Sequence, residues 1–330
     1  MNRRIGLTTT VPIEVIYAAG DVPTDLNNLF ISSADPRDVV ERAESAGLPA
    51  NCCAWVKGIF TAAVEARDVD TIVAVTEGDC SNTHVLIELW RRDGKRVIPF
   101  AYPFDRDRAL FQLQIDRFME SFGVNASQVA AAKVRLDGIR RKLERLDAQT
   151  WSETGRVTSI ENHLWLVSAS DMNGNPDRFE SELDVFMESV SKRPSSAPRV
   201  RLGYLGVPPI FSDLFEVVES FGARVVFNEM ARQFAMLEKG SDLVGQYLEY
   251  TYPYDLAGRV RDIRREVERR GIDGLIHYTQ SFCFRQMGHV ILAEDLPAPV
   301  LMLEGDRPGP LDGRTRTRLE AFVEMLSERP

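Results

Sequence analysis

The sequence has few cysteines and no long apolar run, and its N-terminus does not predict a signal segment; each of these features argues against a class of protein. Its four cysteines, Cys52, Cys53, Cys80 and Cys283, are too few and too widely spaced for a disulfide framework. No apolar run approaches the roughly 18 residues of a transmembrane helix, and the N-terminus predicts a strand rather than a signal peptide. We therefore expect a cytoplasmic protein that does not bind membranes, with structural, metal-binding or catalytic cysteines.

Basic residues are also in the minority. The 40 Lys and Arg against 49 Asp and Glu give a formal net charge of −9. No basic block interrupts this acidic balance, so nucleic acid is not expected as a partner. The hydrophobic content of 44% and charged content of 27% are typical of a globular enzyme, and 330 residues predict two domains rather than one small core.

One pattern occurs twice in the chain. Residues 70–90, DTIVAVTEGDCSNTHVLIELW, contain an apolar run typical of a buried parallel strand, then Cys80 and helix-capping residues. Residues 273–283, DGLIHYTQSFC, again have a cysteine ten positions after an aspartate, followed by a helical pattern over 284–294. Each cysteine is thus predicted at the carboxyl end of a strand, which is where open α/β sheets bind their ligands.

The neighbouring elements extend this repeat. In both copies another strand follows, at residues 97–102 and 299–304, and then a helix. We therefore predict an α/β protein with two lobes, whose parallel sheets are related by internal duplication, joined by a mainly helical segment. The predicted boundaries are 1–125 for the first lobe, 126–197 for the helical connection and 198–330 for the second lobe.

A third thiol position comes from the first lobe alone. Cys52 and Cys53 precede an amphipathic helical pattern, and the N-terminal end of a helix favours a thiolate. Three thiolates with one open coordination position suit an iron–sulfur cluster or a catalytic zinc ion. Adjacent cysteines seldom reach the same small cluster, so one of the pair is not expected to be a ligand. The alternative is that all four are structural thiols, since Cys also behaves as a small apolar residue.

The order and spacing of several motifs resemble the 2-hydroxyacyl-CoA dehydratase and benzoyl-CoA reductase superfamily, and in particular its cluster-bearing subunits of the 2-hydroxyglutaryl-CoA dehydratase D-component type. The motifs are VPIEVIYAAGDVP, CAWVKG, TEGDC, GIDGLIHYTQSFC, VLMLEGD and GRTRTRLEAFVEML. The resemblance implies two flavodoxin-like or Rossmann-like lobes and one 4Fe–4S cluster per chain. It implies three cluster ligands, which fall on Cys53, Cys80 and Cys283. Cys52 has no counterpart in the family motif.

The resemblance also implies a reaction and partners. A low-potential cluster donates one electron to an acyl-CoA thioester, and the resulting ketyl radical lets the 2-hydroxyl group leave from an open iron site, which is lyase chemistry. The electron comes from a separate ATP-dependent iron–sulfur activator, since this chain has no GxxxxGK[S/T] loop. We expect a homodimer, or a heterodimer with a paralogous subunit. An electron-transfer or accessory subunit, a reductase of the benzoyl-CoA reductase type and a zinc-thiolate hydrolase are the alternatives.

Two carboxylates are predicted as further site residues. Glu14 lies near the end of the first predicted strand, and Glu77 lies three residues before Cys80. Either can act on a proton in a reaction, and we predict both as catalytic candidates. The structural alternative for Glu14 is a carboxylate that stabilises a helix N-terminus, and Glu77 has the alternative of a capping role. For His277, within the second repeat, core packing is the expectation.

Overall fold

A computed structural model of the chain describes residues 2–152, 155–237 and 240–328. The chain divides into two compact units. The N-terminal unit comprises Met1–Arg141, Ser168–Glu180 and Gln233–Asp255. The C-terminal unit comprises Lys142–Val167, Ser181–Arg232 and Leu256–Pro330.

The elements of the first half of the chain are, in order, β1 (Arg4–Leu7), α1 (Ile13–Ala18), β2 (Val22–Asp25), α2 (Leu26–Ile31), α3 (Pro36–Ser45), α4 (Ala54–Glu65), β3 (Val69–Glu77), α5 (Thr83–Arg92), β4 (Arg96–Ala101), α6 (Arg108–Phe122) and α7 (Ala126–Trp151). The elements that follow are α8 (Ser159–Ser168), a 3-10 helix (Met172–Gly174), α9 (Pro176–Ser191), β5 (Val200–Gly206), α10 (Leu214–Ser220), β6 (Ala223–Asn228), α11 (Glu229–Phe234), α12 (Leu243–Glu249), α13 (Leu256–Arg270), β7 (Gly274–Gln280), a second 3-10 helix (Phe284–Gly288), α14 (His289–Asp295), β8 (Val300–Gly305) and α15 (Gly313–Ser327).

The N-terminal unit is built on a four-stranded parallel sheet with the order β2-β1-β3-β4. Buried residues run almost without interruption along β3, which is typical of an inner strand covered on both faces. The edge strands β2 and β4 contain Pro23 and Pro99, and proline is tolerated at a sheet edge because its missing N–H leaves no inner ladder bond unmade.

The sheet of the C-terminal unit has the corresponding order β6-β5-β7-β8 and is also entirely parallel. Its inner strand β7 is buried at every position. An apolar cluster that includes Leu205, Phe227 and Leu275 packs beneath it. The two sheets therefore share one topology, and the predicted α/β fold with duplicated parallel sheets is confirmed.

The duplication extends to the cysteines. Cys80 follows the last residue of β3 by three positions, and Cys283 follows the last residue of β7 by three positions. β3 and β7 are equivalent inner strands of their sheets. The segment after Cys283 differs from the predicted continuous helix over 284–294, because a 3-10 helix ends at Gly288 and α14 begins at His289.

The predicted connection 126–197 is mostly helical and contains α7, α8 and α9. Its residues are assigned partly to the N-terminal unit and partly to the C-terminal unit. The boundaries predicted from the sequence stay a prediction. Within residues 2–152, 155–237 and 240–328, no helix is long and apolar enough to cross a membrane.

Candidate functional site

Cys53 is the residue that precedes α4, and its side chain makes no capping hydrogen bond to that helix. The loop before it is held by Lys57, a buried residue one turn into α4. The Lys57 Nζ atom donates to Glu44 Oε1 at 2.6 Å and to the carbonyl oxygen of Ala50 at 3.0 Å. Lys57 therefore fixes the approach of the chain to Cys53.

Cys80 lies in the turn between β3 and α5. The N–H of Thr83 donates to the carbonyl oxygen of Cys80 at 3.0 Å, which begins the helical turn. Gly78 has a φ of +95°, and a Cβ atom there would lie 2.7 Å from Pro253 and 2.9 Å from Tyr102. Only glycine fits both constraints. The sequence Glu77-Gly78-Asp79 therefore turns the chain sharply and places Cys80 beyond the carboxyl end of β3.

Cys53 and Cys80 are thus brought to the N-terminal ends of two helices in the same unit. Both pack against one apolar cluster, which is formed by residues such as Val56, Ile72 and Leu86. Both are partly exposed. A partly exposed thiol at a helix N-terminus is favoured as a thiolate, the form that binds metal ions.

Cys283 holds the equivalent position in the C-terminal unit. It precedes the 3-10 helix Phe284–Gly288, makes no side-chain capping bond to it and is partly exposed. The preceding residue, Phe282, has a φ of +62° and is 72% exposed. A bulky side chain in the left-handed region is unfavourable, so the turn before Cys283 is strained where the turn before Cys80 uses glycine.

Cys52 differs from its neighbour. Burial raises the pKa of the Cys52 thiol, and the positive charge of Lys57 lowers it, with burial the larger cause. Cys52 is therefore held towards the thiol form, which is a weaker metal ligand than a thiolate.

The predicted ligands are distributed over the two units. Cys53 and Cys80 belong to the N-terminal unit and Cys283 to the C-terminal unit. Within the described ranges, no three His, Cys, Asp or Glu side chains are grouped so that they could hold a metal ion.

The two predicted catalytic carboxylates have opposite surroundings. Glu77 is exposed at the end of β3, and its main-chain oxygen accepts a hydrogen bond from the N–H of Tyr102 at 3.1 Å. Glu14 is fully buried in the first turn of α1. Its Oε1 accepts from Arg140 Nη1 at 2.6 Å and its Oε2 accepts from the hydroxyl of Tyr247 at 2.9 Å. No local pattern predicts these partners, because they lie 126 and 233 positions away in the chain.

A cavity of about 540 Å³ lies in the N-terminal unit beside this network. Its walls come from α6, α7 and residues 240–244, and Asp137 lines it while also accepting from Arg140 at 3.0 Å. Neither Cys53, Cys80 nor Glu14 lines this cavity. It is therefore separate from the predicted site residues.

Two buried carboxyl groups lie together at the end of β2. The N–H of Asp25 donates to Asp171 Oδ2 at 2.7 Å, and the Ser170 hydroxyl donates to Asp25 Oδ2 at 2.6 Å. Burial, and then repulsion from Asp25, raise the pKa of Asp171 to about 7. Burial likewise raises the pKa of Asp25. The folded unit therefore favours protonated carboxyl groups here.

This pair predicts a specific dependence of stability on pH. The pKa of Asp171 is raised from 3.8 to about 7, so the folded protein binds this proton more tightly than the unfolded chain does. The resulting contribution to the unfolding free energy is complete below pH 3.8 and is lost as the pH rises through about 7. Asp25→Asn removes the repulsion and keeps the oxygen that accepts from Asn27. Between pH 6 and 8, we expect wild type to lose about 1 kcal/mol more unfolding free energy than this variant. Urea unfolding at both pH values measures this difference, and histidine titration cancels because both proteins share it. Equal losses in the two proteins would contradict the prediction.

Each of the two parallel sheets has a cysteine beyond the carboxyl end of an equivalent inner strand. This defines an α/β protein with thiols at the end of the sheet where such folds bind ligands. The chain matches the family model of the 2-hydroxyglutaryl-CoA dehydratase D-component over residues 8–326. It belongs to this family, which confirms the resemblance seen in the sequence. By this family match, the chain is a subunit of the 2-hydroxyacyl-CoA dehydratase type. A comparison with curated proteins found no match.

Proposed function

We propose that this chain carries one 4Fe–4S cluster, held by Cys53, Cys80 and Cys283, and acts as a lyase subunit that removes water from a 2-hydroxyacyl-CoA thioester. The single observation that carries the proposal is the equivalent position of Cys80 and Cys283, each three residues beyond an inner parallel strand. The family match supports the dehydratase class. The partners we propose are a separate ATP-dependent iron–sulfur activator and a second subunit, identical or paralogous.

The donor set is chemically suited to such a cluster. Iron–sulfur clusters are held by thiolates, and each proposed ligand is a partly exposed thiol at the beginning of a helix. Cys53 and Cys283 make no side-chain capping bond to their own helices. Cys53, Cys80 and Cys283 would supply three ligands to such a cluster.

A cluster held by Cys53, Cys80 and Cys283 would supply one-electron chemistry, with the electron returned to it by the end of the reaction. The substrate loses hydroxide from C2 and a proton from C3, so the net change is the loss of one water. Glu77 is the proposed acid–base group, since it is exposed and lies three residues before Cys80. The predicted catalytic role of Glu14 stays a prediction, and its bonds to Arg140 and Tyr247 support a structural role instead.

The test is anaerobic purification with iron and acid-labile sulfide analysis, followed by EPR of the reduced protein with and without added 2-hydroxyacyl-CoA. We expect about four irons and four sulfides per chain and an EPR signal that changes with the thioester. The same metal content with no response to thioester would favour an electron-transfer subunit. Reduction of a thioester without loss of water would favour the reductase type. Zinc, or no metal, would overturn the proposal.

A further inference from the structure

The cavity of about 540 Å³ that is lined by α6, α7 and residues 240–244 belongs entirely to the N-terminal unit. Its walls are mostly apolar and include Ile115, Val129 and Leu243. Val134 lines the cavity and is 72% exposed, so the cavity opens to solvent at this residue. Packed protein interiors rarely leave voids much larger than a water molecule, whereas sites for small organic ligands have volumes of about 300–1,000 Å³. The cavity therefore has the size, the lining and the access of a ligand site.

The charged side chains among the described lining residues, Lys133, Asp137 and Asp242, all form ion pairs. Lys133 Nζ donates to Asp137 Oδ2 at 2.6 Å, and Asp137 Oδ1 accepts from Arg140 Nη1 at 3.0 Å. Asp242 Oδ2 accepts from Arg108 Nη2 at 2.5 Å. A charged ligand would lose its hydration on entering the cavity and would find no unpaired opposite charge on these residues. The walls therefore favour a neutral ligand.

Lys133 retains capacity to donate a further hydrogen bond. An ammonium group has three N–H donors, and one of them is used by Asp137. The second contact of Lys133 Nζ, to the carbonyl oxygen of Gly240, is 3.5 Å long and lies beyond the usual range of about 2.7–3.2 Å. The Lys133 side chain is only 12% exposed, so water has little access to it. An acceptor on a ligand in the cavity can therefore bind Lys133 while the ion pair with Asp137 stays in place.

Gln246 is a buried residue beside the same part of the cavity. Its backbone lies against Gly240, where a Cβ atom would be 2.0 Å from the Gln246 nitrogen, and its Nε2 donates to Asp137 Oδ1 at 3.2 Å. The opposite orientation of the amide would bring two acceptor oxygens together, so the bond to Asp137 fixes the orientation. The Oε1 atom is buried and has no hydrogen-bond partner within the described ranges. A buried acceptor without a donor is unfavourable, so a ligand group that donates as well as accepts is favoured here.

We propose that this cavity binds a small neutral molecule with an apolar body and one terminal group, such as a primary amide, that accepts a hydrogen bond from Lys133 and donates one to Gln246. The apolar body packs against side chains such as Ile115 and Leu243. The amide oxygen replaces the long contact of Lys133 with Gly240, and the amide N–H satisfies the buried Oε1 atom. The cavity contains none of the proposed cluster ligands, so this site is independent of the proposed function.

The test is an NMR titration of the full-length chain with three probes that share one apolar skeleton: 4-phenylbutanamide, methyl 4-phenylbutanoate and 4-phenylbutanoate. The amide accepts and donates, the ester only accepts, and the carboxylate is charged. We expect saturable binding of the amide, with a dissociation constant about fivefold lower than that of the ester because the ester cannot donate to Gln246. The carboxylate should bind at least about tenfold more weakly than the amide, since its charge must be desolvated beside Asp137. Equal or tighter binding of the carboxylate would contradict the assignment of a neutral ligand.

Two tryptophan variants locate the binding site. Val134→Trp places a large side chain at the mouth of the cavity and should weaken amide binding at least about tenfold. Val185→Trp is the matched control, because Val185 is 71% exposed on α9 and does not line the cavity, and it should bind the amide as wild type does. Both positions are exposed, so circular dichroism should show an unchanged fold in each variant. The proposal is wrong if wild type does not bind the amide, if Val134→Trp binds it normally, or if both variants lose binding equally.

Discussion

Replacing Cys80 or Cys283 by alanine should reduce the bound iron and sulfide from about four each per chain to less than one. Each residue is a proposed ligand, and a site with two remaining thiolates does not retain a cluster through anaerobic purification. The same loss is expected for Cys53→Ala. Iron and acid-labile sulfide analysis of the variants, prepared in parallel with wild type, measures the effect.

Cys52→Ala is the matched control for this series. Cys52 is adjacent to Cys53, is also partly exposed and has a raised thiol pKa, yet it is not a proposed ligand. We expect this variant to keep the wild-type iron content. Full iron content in Cys283→Ala would remove that residue from the ligand set, and loss of iron in Cys52→Ala would show that the wrong member of the pair was assigned.

Arg140→Met should destabilise the N-terminal unit by about 3–5 kcal/mol, because it leaves the carboxylate of Glu14 buried without its cation. Arg140 is 5% exposed and Glu14 is completely buried, so water cannot replace the lost partner. The hydroxyl of Tyr247 still donates to Glu14, but it cannot neutralise the charge. Chemical denaturation followed by circular dichroism measures the loss.

The double variant Glu14→Gln with Arg140→Met provides the control. A neutral glutamine can still accept from Tyr247 and leaves no buried charge, so the double variant should be more stable than Arg140→Met alone. This non-additivity is the signature of a paired interaction. If the double variant were less stable than Arg140→Met, the charge of Arg140 would not be what stabilises the buried carboxylate of Glu14. Iron content that is retained in Glu14→Gln would further separate Glu14 from the cluster site.

The fold was largely predictable because the local sequence patterns agree with one another. The apolar run over β3 and the helix-capping residues after Cys80 predicted the strand and helix that form, and the second repeat predicted the strand β7. Inner parallel strands are recognisable because both faces are buried and the run of apolar residues is continuous. The break between Phe284–Gly288 and α14 was not predicted, since helical propensity alone does not distinguish a 3-10 turn from an α-helical one.

The charged partners could not be predicted in the same way. Lys57 looks like a surface residue at a helix start, yet it is buried against Glu44, and nothing local signals the pairing of Glu14 with Tyr247. The contact between His277 and His289, whose Nδ1 atoms are 3.2 Å apart, likewise has no local signal.

The sequence by itself determined the α/β class, the duplication and the positions of Cys80 and Cys283 beyond equivalent strands, because these depend on residues close together in the chain. Tertiary structure alone decided which polar groups are buried and what they bind. Glu14, Asp25 and His277 acquire their partners or their altered pKa values from residues brought next to them by folding. Burial is a property of the assembled core, and it is burial that shifts the pKa of an ionisable side chain such as Asp171 away from its ordinary value.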